Sequence, residues 1–346
     1  MPRNISALVF VLLLASTASL RADATDDFVK AQMDRFRLPG ASLVVLKRGE
    51  VVKAAGYGFA DLERRIPVTP ETVFKIGSVS KQLIATGIMV LVQEGRIAVD
   101  DRVSKYLDGT PPAWEPITIR HLLTHTAGLV RESPAFNPDK ADSDIALIKA
   151  AYAVPLRFAP GAKWEYSNTG YFALAEVITR VAGKPWPQFL HERVFLPVKM
   201  TATAPTNVTP TVPNRALGYT GNDNQGGVAP DWVALRPSGA FLSTVLDLAR
   251  WDAALYTDAI LSDASRRDMW TRVPLSDGSS EAYGFGWHVE TWTDSGRVVW
   301  HGGGLPGFSA YSARFLDEDL AVIVLTNGDD VDTASIAIGA ARFYRR

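Results

Sequence analysis

The alternation of apolar and polar positions divides the chain into stretches of different character. In "TDDFVKAQMDRFRLPG", Phe28, Met33 and Phe36 recur among aspartates and basic residues, predicting an amphipathic helix stopped at Pro39-Gly40. "ASLVVLKRGEVVKAAGYGFAD" then gives two β-rich runs around Arg48-Gly49, a hairpin signature. After "IGSVS" comes "KQLIATGIMVLVQEGRIAVDD", whose apolar run predicts a buried helix that begins at the serines and ends near Gly95. From about Ile117 to Pro197 the pattern is mostly helical, punctuated by "THTAGL" and "FAPGAKWEYSNTG". Residues 201–232, rich in Thr, Pro, Asn and Gly, predict a functional loop region. Strand character returns in "YGFGWHVE", "RVVWHGGG", "FSAYSARFL" and "LAVIVLTNG", followed by a helical tail from about Asp332.

Strands at both ends with helices between them predict an α/β (α+β) fold: one antiparallel sheet built from the two ends of the chain, flanked by helices, with a mostly helical subdomain inserted. The expected division is a sheet subdomain over about 25–75 and 235–346 and a helical subdomain over about 76–234.

The first 24 residues change the picture of where the protein works. "MPRNISALVFVLLLASTASLRADA" has Arg3 near its start, an apolar core from Ile5 to Ala15, and Ala22 and Ala24 at an A-x-A-like exit. That is the layout of a secretory signal peptide cleaved after Ala24, with a retained anchor as the alternative. A periplasmic or secreted protein is expected, with no stable membrane span after cleavage, since no later segment is apolar for the roughly 20 residues a span needs. The absence of cysteine excludes disulfides, thiol nucleophiles and Cys-ligated metals. A formal net charge of −1, without a basic stripe, gives no reason to expect nucleic acid as a partner.

Three polar breaks carry candidate chemistry. In "KIGSVSKQL", Ser78 and Lys81 are three residues apart and share a helical face. A serine hydroxyl is a weak nucleophile until a neighbouring base takes its proton, and a lysine whose pKa is lowered by burial can be that base. The helix start adds N–H groups able to hold an oxyanion. Taken alone, however, S-x-x-K reads first as a helix cap, and Ser80 keeps that reading. In "WEYSNTGY", Tyr166 can relay a proton and Asn168 can hydrogen-bond a substrate, while Ser167 or Asn168 is also a good N-cap for the helix that follows. In "VVWHGGGLPGF", Gly302, Gly303 and Gly304 allow close backbone approach, and His301 can donate a hydrogen bond or titrate near neutral pH.

Together and in this order, the three resemble the active-site set of the serine β-lactamase and penicillin-binding-protein superfamily, with S-x-x-K first, Y-x-N as in class C β-lactamases, and H-G-G where K-T-G is usual. "ITIRHLLTHTAGL", "FAPGAKWEYSNTGYFALAEVITRVAGKPW", "PSGAFLSTVLDLARW" and "YGFGWHV" look like further signature blocks, so the resemblance runs from about Phe28 to Phe343. It implies Ser78 as acyl-enzyme nucleophile, Lys81 as proton acceptor, Tyr166 in the proton network and Asn168 on the substrate. The oxyanion hole it implies is the N–H of Ser78 and of Gly304, and no cofactor or metal is expected. Because His301 replaces the lysine that helps bind carboxylates in the family, the expected substrate is a small-molecule ester or small amide rather than a β-lactam. β-Lactam hydrolysis, D-Ala-D-Ala carboxypeptidase activity, and a penicillin-binding or sensor protein without turnover are the alternatives. Arg236 and Arg314 are candidates to replace the missing charge. His121 and His125, four apart on a predicted helix, lack a third metal ligand. Trp164, Trp232, Trp287 and Trp300 are expected in the core.

Overall fold

A computed structural model describes residues 23–140, 143–206, 212–221, 227–232, 236–239 and 241–345. The expected signal peptide therefore lies almost wholly outside the described residues. Ten helices occur among them: α1 (Ala24–Phe36), α2 (Ser80–Gln93), α3 (Ile119–Leu123), α4 (Asp144–Ala151), α5 (Asn168–Ala182), α6 (Trp186–Leu190), α7 (Arg236–Gly239), α8 (Val245–Ala254), α9 (Asp263–Met269) and α10 (Thr333–Ala341). None is long and apolar enough to cross a membrane. The strands are β1 (Gly40–Lys47), β2 (Glu50–Asp61), β3 (Ile66–Pro67), β4 (Phe74–Lys75), β5 (Ala204–Pro205), β6 (Phe241–Ser243), β7 (Val273–Pro274), β8 (Ser280–Glu281), β9 (His288–Trp292), β10 (Gly296–Leu305), β11 (Phe308–Phe315) and β12 (Leu320–Thr326).

Seven strands form one antiparallel sheet in the order β3-β2-β1-β12-β11-β10-β9. Its centre joins the two ends of the chain, because β1 pairs with β12 from Ala41↔Thr326 to Lys47↔Leu320. Both faces are buried, which the period of two makes visible. Val44 and Leu46 of β1 and Ala321, Ile323 and Leu325 of β12 enter one core with residues of α2, α5 and α8. Leu43 and Val45, with Leu320, Val322 and Val324, enter a second core against Val29 and Met33 of α1 and Ile336 and Ala340 of α10. The fold is thus a large antiparallel sheet with helices on both faces.

Local signals explain most boundaries. Arg48 and Gly49 take left-handed φ values of 52° and 77°, as a tight two-residue hairpin needs. α1 ends one residue before left-handed Arg37 (φ 49°), and Asp23 and Asp26 form a capping box at its start. Asp23 also pairs with Lys53 at 2.9 Å, so a chain cleaved after Ala24 gives up both the cap and this ion pair. One strand expectation fails: Tyr283 to Trp287 is not extended, and β9 begins only at His288. Gly286 (φ 78°) turns the chain there, with Gly284 N–H donating to Trp287 O at 2.8 Å, and this brings the segment against the first turn of α2.

Candidate active site

The site is built where the start of α2, the start of α5 and strand β10 converge. β4 pairs with β6 and delivers the chain into a 3-10 turn, Gly77–Val79, which runs on into α2. Ser78 therefore sits in a tighter turn just ahead of the α-helix, a small departure from the predicted helix start. Ser80 holds this turn: its hydroxyl donates to Gly77 O at 2.7 Å and accepts from Phe241 N–H at 3.2 Å. Lys81, one residue into α2, places Nζ 3.2 Å from Ser78 Oγ.

Lys81 is fully buried, and burial pushes its pKa well below the usual lysine range, helped by Arg131 and opposed by Glu132. Its Nζ also donates to Asn168 Oδ1 at 2.7 Å and to Ser238 O at 2.5 Å. A neutral amine has two N–H bonds and one lone pair. With the proton lost, the two acceptors take both N–H bonds and the lone pair is left for the hydroxyl of Ser78.

The second wall follows from a helix cap. Ser167 is the N-cap of α5, its hydroxyl accepting from Gly170 N–H at 3.2 Å, and this sets Tyr166 and Asn168 on either side of it. The cap that the sequence predicts at Ser167 therefore also places Tyr166 and Asn168 at the site. The Tyr166 ring lies 4.6 Å from Lys81 Nζ, and its buried hydroxyl makes no full hydrogen bond among the described residues. Burial raises its pKa, while the hydroxyl of Ser78 pulls it back. Asn168 spends its amide twice, accepting from Lys81 and donating to Glu132 Oε1 at 2.5 Å.

Glu132 is a site residue that sequence reasoning missed. Its carboxyl pKa is raised by burial, against Asn168, Lys81 and Arg131. The signal was a charged pair, Arg131-Glu132, directly after the apolar "AGLV", inside a stretch read only as structural.

The third wall is β10. Its partner β9 pairs only as far as Trp300↔His288, so the edge beyond is open, and there it meets the turn that carries Ser78. The two-residue turn at Pro306-Gly307 makes Leu305↔Phe308 the hydrogen-bonded closing pair of the β10–β11 hairpin. By alternation Gly304↔Ser309 is a non-bonded pair, and the Gly304 N–H points away from β11 toward the serine. A Cβ on Gly77 (φ 52°) would lie 2.5 Å from that nitrogen, and one on Gly303 would lie 2.9 Å from Ser78 N and collide with Ile76 O. The backbones of the two walls touch, which only glycine allows.

The beta-lactamase family model matches residues 25–343. The chain belongs to the beta-lactamase family of serine hydrolases. It is 31% identical over 289 residues to the putative penicillin-binding protein PbpX of Bacillus subtilis strain 168, covering 82% of this chain and 69% of that one. It is 29% identical over 323 residues to a D-aminopeptidase of Brucella anthropi, covering 88% of this chain and 59% of the relative. Among solved structures, the octameric penicillin-binding protein homologue from Pyrococcus abyssi superposes with a TM-score of 0.82 at 28% identity, over 92% of this chain and 76% of that one.

Within this beta-lactamase-family site several sequence expectations change. His301 does not face a substrate: it is 3% exposed, Nε2 lies 3.0 Å from Tyr283 Oη and Nδ1 2.6 Å from Gly302 O. Burial, with His288 and Lys81 nearby, pushes its pKa well below the ordinary histidine value, so it does not titrate near neutrality. Arg314 does not supply the missing charge either. It is buried against Asp252 at 2.5 Å, with its guanidinium over the Tyr256 ring. The side chain of Arg236 lies outside the described residues. His121 and His125 do not share a helical face, because α3 ends at Leu123 and His125 is left-handed at φ 60°. Trp287 is core, stacked on Trp251, but Trp232 lines an open groove of about 500 Å³ together with Gly302, Gly303 and Gly304. Trp164 and Trp300 are half-buried around His288.

Proposed function

We propose that the protein is an exported serine hydrolase that forms an acyl-enzyme on Ser78 and turns over an ester or small amide. The observation that carries this reading is the arrangement at Lys81, where Asn168 Oδ1 and Ser238 O take two directions of the amine and the third meets Ser78 Oγ at 3.2 Å. Lys81 takes the serine proton as Oγ attacks the acyl carbon. The oxyanion that forms is held by the N–H groups of Ser78 and Gly304. Tyr166, whose high pKa keeps it protonated, passes a proton to the leaving group, and water then attacks the acyl-enzyme to release the acid. Asn168 holds Lys81 and meets the substrate. The sheet-bearing parts, about 25–75 and 235–346, and the helical insert are read as two subdomains with the site at their seam. Residues 1–24 are read as the leader that takes the chain to the periplasm or beyond.

Charge on the walls supports a substrate class. His301 is occupied by Tyr283 and Gly302, while Glu132 sets a carboxylate beside Asn168 that Arg131, 4.0 Å away, balances only in part. This favours an acyl donor bearing a free amine over one bearing a carboxylate, in keeping with the D-aminopeptidase relative. The test is a panel of p-nitrophenyl esters, amino-acid amides, N-acetylated amides and nitrocefin, with mass spectrometry after a fluorophosphonate. A single adduct on Ser78 and hydrolysis of esters and free-amine amides well ahead of nitrocefin are expected. Unlabelled Ser78, or unchanged turnover in Ser78→Ala, overturns the mechanism; nitrocefin turnover matching the best ester overturns the substrate reading.

A further inference from the structure

Behind the catalytic side chains lies a second set of buried polar groups that the acyl-transfer reading does not use. His125, Tyr283 and His301 come from the end of the α3 turn, the bend before β9, and β10, and each is at most 3% exposed. They are joined in one line. Ser167 N–H donates to His125 Nδ1 at 3.1 Å, His125 Nε2 lies 3.1 Å from Tyr283 Oη, Tyr283 Oη lies 3.0 Å from His301 Nε2, and His301 Nδ1 lies 2.6 Å from Gly302 O.

The ends of this line fix the proton on His125 and the Nδ1 proton of His301. A backbone N–H can only donate, so His125 Nδ1 is an unprotonated acceptor and its proton is on Nε2. That proton goes to Tyr283 Oη, whose own single hydrogen goes to His301 Nε2, rather than to the neighbouring Tyr171 hydroxyl, when the His301 ring is neutral, the state its burial favours. His301 consequently carries its proton on Nδ1 and donates to the carbonyl of Gly302, which can only accept. No link is left without a donor or an acceptor. A second proton on His125 would set N–H against the Ser167 N–H, and one on His301 would turn the Tyr283 hydroxyl hydrogen away toward Tyr171 and break the line's single direction.

We propose that Tyr283 is a positioning residue, the centre of a one-directional hydrogen-bond strut that holds the Tyr166–Asn168 wall at a fixed separation from the oxyanion strand. Ser167, at one end, lies between Tyr166 and Asn168; Gly302, at the other, lies two residues before Gly304. The His125 ring also supports the Tyr166 ring at 4.3 Å. The charged and titratable groups around the strut are Lys81 from α2, Arg131 from the segment before α4, Tyr166 and Tyr171 of the α5 region, and His288 of β9. Lys81 and Arg131 disfavour a second proton on His125, and Lys81 and His288 disfavour one on His301.

This inference rests on the acyl-enzyme reading, and its test separates the two. In nitrogen-15 NMR of the intact wild-type protein at pH 7, His125 is expected as the neutral Nε2–H tautomer and His301 as the neutral Nδ1–H tautomer. The chain has five histidines, which keeps the assignment tractable by single substitutions. A cationic ring or the opposite tautomer at either position overturns the strut, whatever the enzyme does. In Tyr283→Phe, kcat for p-nitrophenyl butyrate is expected to fall about 10- to 100-fold with KM changed less than about threefold, since misplacing a catalytic group by an ångström costs rate of that order. Tyr57→Phe, which loses a buried hydroxyl bonded to Asp26 at 2.7 Å far from the site, is the control for lost stability alone. A folded Tyr283→Phe with wild-type kcat, or a Tyr57→Phe loss of equal size, overturns the proposal. Failure of fluorophosphonate to label wild-type Ser78 overturns the acyl-enzyme reading and leaves the tautomer result standing.

Discussion

Lys81 and His301 are both basic side chains of the family motifs, both buried, and both held far below their ordinary pKa by that burial. They nevertheless have opposite characters. Lys81 has two of its three directions occupied by fixed acceptors, so its remaining direction meets the hydroxyl of Ser78. His301 has both ring nitrogens occupied, by Tyr283 and Gly302, and nothing left to offer. Burial sets the protonation state of a base; the count of its committed hydrogen bonds decides whether it can act.

The sharpest way to break this comparison is to remove each base. Lys81→Met is expected to lower kcat/KM by about a thousandfold, within the range typical of a lost general base. Lys81→Arg gives no rescue at any pH up to 10, because a guanidinium stays protonated. His301→Gln is expected to cost no more than about a hundredfold, through displacement of the strand. If steady-state kinetics found the two losses equal, the distinction between an acting and a bracing base would collapse.

A finer comparison lies within one strand. Gly303 faces the turn that carries Ser78, where an added Cβ meets Ile76 O and lies 2.9 Å from Ser78 N, whereas a Cβ on Gly304 meets nothing within 4 Å. Gly303→Ala must therefore push the oxyanion strand away from Ser78, and a loss of about a hundredfold in kcat is expected, as for a missing oxyanion donor. Gly304→Ala keeps its N–H and its space, so less than about a tenfold loss is expected, mainly in KM for bulky acyl groups that enter the groove. Equal losses in the two variants would show that the walls are not in backbone contact.

The legibility of the two bases in the sequence differs for the same reason. Ser78, Lys81, Tyr166, Asn168 and the glycines were legible because each chemical residue sits at a helix start or strand edge, and those local signals survive in one dimension. The sheet was equally legible, since strands at both chain ends with strong period-two burial can pair only by bringing the ends together. The role of His301 was not legible, because it depends on Tyr283, which lies 18 residues away in a bend that read as a strand. Glu132 and His125 were hidden in the same way: they reach Asn168 and Ser167 from 36 and 42 residues away. A residue type and a spacing can announce a base, but only the folded chain shows which of its hydrogen bonds are already committed.

The smallest expected effect separates these buried histidines by pH. His288 stacks on Trp300 at 4.0 Å outside the strut, and burial pushes its pKa down to about 4. Its unfolded value is about 6.5. Below that value the unfolded chain binds a proton that the folded chain refuses, so this contribution to stability is complete above pH 6.5 and is lost as pH falls from 6.5 toward 4. His125 and His301 act in the same direction, their pKa values also lying well below 6.5. Glu132 and Asp252, whose carboxyl pKa values burial raises, act in the opposite one. The difference between wild type and His288→Gln isolates one group from this sum. Urea unfolding at pH 7.5, 6, 5 and 4 is expected to show the variant losing less stability than wild type, by up to about 1.4 kcal/mol per pH unit between 6.5 and 4 and nothing above 7. Parallel curves would mean that His288 takes up its proton in the folded protein as readily as in the unfolded one.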